Sequence, residues 1–245
     1  MEFETSRIEY SYSDFKRGLI LPKQSSNELA EFIGILTGDG YMNLYKKYFY
    51  MIEIAGDKRL DKDYLGVYVN NMINKLFNIK PTVYKRKKQN TMYLRILSKG
   101  ILNYLLMIGF KKGKKEQIGI PSWIISDNDY MLAFLKGLAD TDGSLYFRGG
   151  DYPIVSFTSK SEPLVRNVFN FLKEKGFNLT NYYKEDKVDK RGYNNSITYT
   201  IKLNGRKKFK LWSDLINFRN KRHLDKIKKW GRRNFQSKVL NSSHF

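Results

Sequence analysis

The sequence predicts an α/β protein built from two pseudo-symmetric halves, each running α-β-β-α-β-β-α, within one chain of 245 residues. Three observations lead there. The series of elements read from residue 27 onward begins again after residue 126. In each copy, short runs rich in Tyr, Phe, Ile and Thr alternate apolar with polar residues, as half-buried antiparallel strands do. And each copy opens on a largely apolar helix that ends in Asp-Gly, "FIGILTGDG" at 32–40 and "LKGLADTDG" at 135–143.

In the first copy, apolar periodicity from Asn27 to Gly38 predicts the opening helix, and Ser25-x-x-Glu28 has the form of a capping box. "MNLYKKYFY" and "MIEIAG" read as two strands and "DKDYLGVYVNNMINKLFNI" as an amphipathic helix. "PTVYKRKK" and "TMYLRIL" form a hairpin turning near Gln89-Asn90, and "KGILNYLLMIGF" is a helix stopped at Gly109. The second copy repeats the order: "NDYMLAFLKGLADTDG", "SLYFRGG", "YPIVSFTS", "EPLVRNVFNFLKEKGF", "NLTNYYKED", "SITYTIKL" and "RKKFKLWSDLI". The boundaries are an N-terminal arm over 1–24, a first half over 25–110, a basic linker over 111–125, a second half over 126–225 and a basic C-terminal tail over 226–245. The Ser-rich end of that tail is expected to be disordered. The register is arithmetic: 142 − 39 = 103 between the two Asp-Gly aspartates, and 160 − 58 = 102 between the lysines that follow the second strand of each half.

Lys and Arg number 45 against 24 Asp and Glu, a formal charge of +21, and the isoelectric point is about 9.8. Such an excess calls for a polyanionic partner, and nucleic acid fits better than a membrane surface. The basic residues lie on strand-like alternations as much as on amphipathic helices, no segment has the length of a transmembrane helix, and "MEFETSRIEY" lacks the pattern of a signal peptide. The absence of cysteine excludes disulfides and thiolate metal sites. An intracellular setting is the expectation.

A single helix ending in Asp-Gly is most simply a turn. Two in phase are more specific. Gly34 and Gly38 share a helix face, as do Gly137 and Thr141, and small residues so spaced let two helix backbones approach closely. If these helices pack together, Asp39 and Asp142 arrive side by side. Adjacent carboxylates repel unless a cation lies between them, and Mg²⁺ is held by one or two carboxylates together with phosphate and water. Asp140 is a decoy on this reading, because its counterpart is Thr37. In the strands, Ile197, Tyr199, Ile201 and Leu203 alternate with Ser196, Thr198, Thr200 and Lys202, and Met92, Leu94 and Ile96 with Tyr93 and Arg95. Tyr84, Arg86 and Lys88 share a face, as do Asn43, Tyr45 and Lys47, and Ser144, Tyr146 and Arg148. A β-ribbon bearing such side chains can reach base edges in a major groove.

The two motifs, set in duplicated halves, resemble those of the LAGLIDADG homing endonucleases of the single-chain, two-motif kind, over roughly residues 25–225. The resemblance implies two curved, saddle-shaped antiparallel sheets in the DNA major groove, packed through the motif helices, and a metal-dependent cut of both strands across the minor groove. It implies a monomer acting on a long non-palindromic site. It maps the catalytic acids onto Asp39 and Asp142, the metal site onto these two with Gly38 and Thr141, and an assisting basic residue onto Lys58 and Lys160. Mg²⁺ is the expected cofactor, with Mn²⁺ substituting and Ca²⁺ binding without cleavage. Two departures are Thr37, in place of the motif's first acid, and Lys136, where the family has a small residue. The alternative is an intron maturase or a DNA- or RNA-binding regulator on the same fold that does not cut. Retention of both acids argues against it, since a pure binder gains nothing from paired carboxylates facing phosphate.

Overall fold

The computed structural model describes residues 1–45, 49–87, 89–111, 113, 115–187 and 196–242. Two helices set the arrangement. α2 (Asn27–Asp39) starts at Ser26, whose hydroxyl accepts from the amide of Leu29 at 3.1 Å. α6 (Asn128–Thr141) starts at Asp127, whose carboxylate accepts from the amides of Asp129 and Tyr130. The cap of α2 is thus Ser26 rather than Ser25, which bonds instead to the N-terminal ammonium and to the Tyr130 hydroxyl. Every residue of α2 from Leu29 to Gly38 is buried, as a helix apolar on nearly all sides requires.

The two helices meet backbone to backbone. A Cβ on Gly34 would lie 2.1 Å from the carbonyl oxygen of Phe134, and one on Gly137 would lie 2.2 Å from that of Glu31. Adding 103 to 34 and 31 gives 137 and 134, so these are one contact seen from both sides of a pseudo-twofold axis. Further along, a Cβ on Gly38 would meet the hydroxyl of its own counterpart, Thr141, at 2.1 Å. Lys136 does not interrupt the seam. It lines a cleft to one side with Glu31, Ala133 and Arg219. At the helix ends, a Cβ on Gly40 or Gly143 would overlap the carbonyl of Leu36 or Ala139, at 2.2 and 2.3 Å. Glycine therefore lets the chain leave each helix directly into a strand.

Both sheets are four-stranded and antiparallel. β1 (Gly40–Tyr45), β2 (Phe49–Asp57), β3 (Thr82–Lys85) and β4 (Thr91–Leu97) lie in the order β1-β2-β4-β3. β5 (Gly143–Arg148), β6 (Tyr152–Ser159), β7 (Tyr183–Lys187) and β8 (Ser196–Asn204) repeat it as β5-β6-β8-β7. Phe49 and Tyr50 belong to β2, so the first hairpin turns earlier than the aromatic run suggests. Gly40 pairs with Ile54 and Gly143 with Phe157, again 103 apart. Inward-facing Met42, Ile52, Ile54, Leu94 and Ile96 in one sheet, and Leu145, Val155, Ile201 and Leu203 in the other, join one hydrophobic cluster that runs through both halves. A π-helical segment (Tyr64–Val69) leading into α3 (Asn70–Phe77), with α4 (Lys99–Met107), α7 (Glu162–Glu174) and α8 (Arg206–Leu215), adds its buried faces to that cluster.

The segments outside the repeat are built into the fold. In the N-terminal arm, Phe3, Leu19 and Leu21 enter the core, and Asp14 of α1 (Tyr12–Lys16), fully buried, accepts from the amide of Gly100 at the start of α4 (3.1 Å) and from Arg17 (2.9 Å). The linker carries α5 (Ser122–Ile125), whose buried Trp123 donates to the Ile108 carbonyl at 3.0 Å. The C-terminal segment forms a helix, α9 (Lys221–Ser242), and the last of the Ser-rich end, 243–245, lies outside the described residues. Leu224, Ile227 and Trp230, three residues apart, bring one of its faces onto the core, with Trp230 stacked on Phe147 at 5.3 Å.

Asp140 is an anchor rather than a bystander. Fully buried, its carboxylate accepts from the amides of Arg219 and Asn220, each at 2.9 Å, ahead of α9. Burial pushes its carboxyl up to about 7 while those amide bonds pull the other way. Its counterpart Thr37 donates instead within its own helix, to the Ile33 carbonyl (2.8 Å).

Two expectations follow from this packing. Gly34→Ala forces a Cβ into a backbone carbonyl and should lower the melting midpoint by an amount matching an overpacking cost of roughly 1–3 kcal/mol or more, with Gly34→Leu worse. Gly66→Ala, where a Cβ meets nothing within 4 Å, should leave the midpoint unchanged or raise it. Equal midpoints for Gly34→Ala and wild type would mean that the helices do not meet through this face.

For Asp140, a folded-state value raised above the unfolded one means that the folded protein holds a proton the unfolded chain has released. Its contribution to stability therefore falls as pH rises from the usual carboxylate range through about 7. Asp140→Ala should flatten that slope in melts across the window. It should also cost about 1–3 kcal/mol by stranding the Arg219 and Asn220 amides. A variant retaining the wild-type slope would assign the titration to another group.

Candidate active site and nucleic-acid interface

Asp39 is the last residue of α2 and Asp142 the residue that caps α6. Both are half-buried. The residue before Asp39 abuts the backbone of Asp142 at the seam, since a Cβ on Gly38 would lie 3.3 Å from the amide nitrogen of Asp142. A helix C-terminus is the negative end of the macrodipole, an unfavourable place for a carboxylate unless positive charge is close. At α6 that charge is Arg222, from the first turn of α9. Its Nη2 donates to the carbonyl oxygens of Asp140 (2.8 Å) and Thr141. Thr141 contributes no free hydroxyl at the seam, because its Oγ1 donates back to the carbonyls of Gly137 and Leu138, both at 3.0 Å.

No group of three or more His, Cys, Asp or Glu comes together among the described residues to form a protein-only metal cage. The donor set at the seam is two carboxylates from facing helix ends. Hard oxygens in that number suit a small divalent cation that takes its other ligands from phosphate and water.

Lys58 follows β2, where its amide donates to the Asn90 carbonyl at 2.9 Å, and Lys160 follows β6, where its ammonium stands 4.0 Å from Glu116 of the linker. The strand register corrects their equivalence by one residue. At the uniform offset of 103, Lys160 corresponds to Asp57 and Lys58 to Ser161. Asp57 is occupied locally, its carboxyl lowered to about 2 by hydrogen bonds from the Arg59 side chain and amide.

The outward sheet faces carry rings and cations. On the first, Asn43 donates to the Tyr41 hydroxyl (2.8 Å), Arg95 pairs with Glu53 across the strands (2.7 Å), and its guanidinium lies 5.1 Å from the ring centre of Tyr84. Arg86 lies 5.3 Å from the ring of Tyr93 and donates to Gln89. Tyr45 closes β1 opposite Phe49. Lys47 and Lys88 lie outside the described residues. On the second face, Ser144, Tyr146 and Arg148 are exposed, and Lys202 stands 5.2 Å from the ring of Tyr183. Thr198 and Thr200 are on this face but covered, at 6% and 5% exposure. They are short side chains in an interior strand. The Thr200 and Thr158 hydroxyls bond each other at 2.8 Å, while Lys202 reaches over Tyr183, the partner of Thr200 on β7.

The two faces share one device. Ile54 pairs with Leu94 and Phe157 with Ile201, which sets β4 against β8 at 201 − 94 = 107. Arg95 then corresponds to Lys202 and Tyr93 to Thr200. Tyr84 faces Tyr93 and Tyr183 faces Thr200, so the rings under the two cations correspond as well. Nothing in the sequence singles out Tyr183, because the partner strand that completes the pair is known only once the register is known. Arg222, Asn220 and Asp61, which meet at the end of α6, belong to no repeated pattern and come from distant parts of the chain.

Residues 129–238 match the LAGLIDADG-like domain. Among solved structures, one of mesophilic variants of the homing endonuclease I-DmoI shares 18% identity at a TM-score of 0.52, covering 78% of this chain and 88% of that one. I-DmoI in complex with DNA and Mn shares 19% at 0.52, covering 78% and 96%. The homing endonuclease I-WcaI bound to its DNA recognition sequence shares 18% at 0.50, covering 84% and 86%. No curated protein sequence matches. The second half thus matches the LAGLIDADG-like domain, and the chain as a whole, whose first half repeats that half strand for strand, has the fold of the single-chain LAGLIDADG homing endonucleases.

Proposed function

We propose that the protein is a site-specific endonuclease that cuts both strands of a long, non-palindromic DNA duplex with the help of a divalent cation, acting as a monomer. The observation that carries this reading is the reciprocal glycine contact of α2 and α6, which delivers Asp39 and Asp142 together at a pseudo-twofold axis between two sheets. A duplex is itself close to twofold symmetric, and a paired acid on such an axis can serve one phosphate on each strand. The exposed cations and rings of the sheet faces suit phosphate neutralisation and base-edge contact. The likeness to I-DmoI and I-WcaI, whose structures hold DNA and, for I-DmoI, Mn, supports the same partner and cofactor class.

Asp39 and Asp142 would hold the cation, and the seam residues Gly38 and Thr141 keep the two helix ends close enough for both to do so. When bound, the cation lowers the pKa of an attacking water and offsets charge on the leaving oxygen. Lys58 and Lys160, on the turns after β2 and β6, would orient that water or neutralise the phosphate. The target is reached experimentally by incubating the protein with a randomised duplex library and Mg²⁺ and sequencing the cut products.

Asp39→Asn and Asp142→Asn should each abolish cutting of both strands while binding changes little. Mg²⁺ or Mn²⁺ should support cleavage, and Ca²⁺, with its looser and higher-coordinate shell, should support tight specific binding alone. A site bound specifically yet intact in Mg²⁺ and Mn²⁺ would replace this reading by a non-cleaving maturase or regulator.

Lys58→Met and Lys160→Met should slow single-turnover cutting of bound duplex more than they weaken binding. Because Lys160 already has Glu116 nearby and Lys58 has no ion pair among the described residues, the larger effect is expected at Lys58. A uniform loss of affinity, with the salt slope reduced by about one and the rate of bound complex unchanged, would reassign both to phosphate contact.

A further inference from the structure

Arg222 lies beyond α8, the last repeated helix, and four acceptors hold its guanidinium at the end of α6. Nε donates to Nε2 of His223 at 3.2 Å, Nη1 to Asp61 at 3.4 Å, and Nη2 to the carbonyls of Asp140 (2.8 Å) and Thr141. Each acceptor is prepared for the task. His223 is buried and stacked on Phe218 at 4.4 Å. Burial and the neighbouring cations Arg222 and Lys226 lower it to about 3, so its imidazole stays neutral and able to accept. Asp61, 3% exposed, comes from the other half, on the turn that follows β2 and carries Lys58. Its carboxylate also accepts from the amide of Asp57 (2.8 Å) and from the side chain of Asn220 (2.7 Å). Asn220 in turn donates to the Asp140 carbonyl at 3.2 Å. A rigid planar fork with five donors fits this set, and a lysine would not.

We propose that Arg222 is a positioning residue for Asp142. It fixes the last turn of α6 by bonding the two carbonyls that precede Asp142, it supplies positive charge at the negative end of that helix, and through Asp61 it ties the Lys58 turn of the first half to the acid of the second. The C-terminal segment thereby becomes part of the active site's frame without touching substrate. The proposal rests on the endonuclease reading for its catalytic consequence, though not for its structural one.

The test uses the full-length protein with Arg222→Met, Arg222→Lys and Asp61→Asn, the last retaining shape should the first fold poorly. Two quantities are measured. In the DNA-free protein, amide hydrogen exchange should rise at least tenfold across residues 139–143 in Arg222→Met, change little across 36–40, and fall between the two in Arg222→Lys. On a duplex labelled separately on each strand, single-turnover cutting in Mg²⁺ should slow about tenfold more on one strand than on the other, so that nicked duplex accumulates, while affinity in Ca²⁺ stays within about twofold. Unchanged exchange at 139–143, or equal slowing of both strands together with a general rise in exchange, would overturn the positioning role. If wild type binds a site but cuts neither strand, the endonuclease reading fails and the exchange result alone decides the role of Arg222.

Discussion

The approach of α2 to α6 is the constraint on which the remaining structure depends. At Gly34 and Gly137 each helix presses bare backbone against a carbonyl of the other, so these two points have no side chain to absorb error. Interiors are packed to the density of crystals, and a contact of backbone on backbone has even less room to adjust. What such a seam offers is exactness of placement. The helix ends are brought together by main-chain contact, the strands leave at once through Gly40 and Gly143, and each sheet therefore takes its position from the seam rather than from its own loops. Acids carried on longer or more mobile elements could not be held at one axis by the same means.

Much of this was legible in the amino-acid sequence because the chain states it twice. A glycine at one helix position carries little information, but the match of Gly34 with Gly137 and of Asp39 with Asp142 reveals the duplication, the element order and the pairing of the acids. The alternation in β4 likewise names its inward and outward residues correctly. Features that occur once were less accessible. The role of Asp140 depends on amides about 80 residues away, and comparison with Thr37, which sets Asp140 apart from the paired acids, does not reveal that anchoring. The lysine equivalence shows a second limit, because place after the second strand sets Lys58 against Lys160, whereas the hydrogen-bond register aligns Lys160 with Asp57. Thr198 and Thr200 show a third limit, because alternation reports which face a residue is on but not whether larger neighbours cover it.

The parts outside the repeat change how the molecule should be regarded. An arm, a linker and the segment after α8 would be accessories, yet Asp14, Trp123 and Asn220 each make a buried polar bond that joins them to a helix of the duplicated core. Such groups are costly to leave unpaired. Two copied halves supply the symmetric frame, and these three single-copy segments close it on sides where the copies alone would leave helix termini and apolar edges uncovered.

The offset between corresponding residues also records where the chain tolerates a change in length. It holds at 103 from the Glu31–Phe134 correspondence through the first hairpin of each half, then becomes 99 between Tyr84 and Tyr183 and 107 between Arg95 and Lys202. The Tyr183–Thr200 hairpin is thus eight residues longer than the Tyr84–Tyr93 one, 17 against 9. Geometry explains the contrast. One residue inserted into α2 would rotate its end by about 100° and advance it by about 1.5 Å, carrying the carboxylate away from its mate. One inserted beyond β2 only lengthens a loop at the rim. Changes in length are therefore confined to the segments beyond β2 and β6, four residues in the connection through α3 or α7 and eight in the outer hairpin, and these can diverge, or be redesigned, while the axis stays as it is.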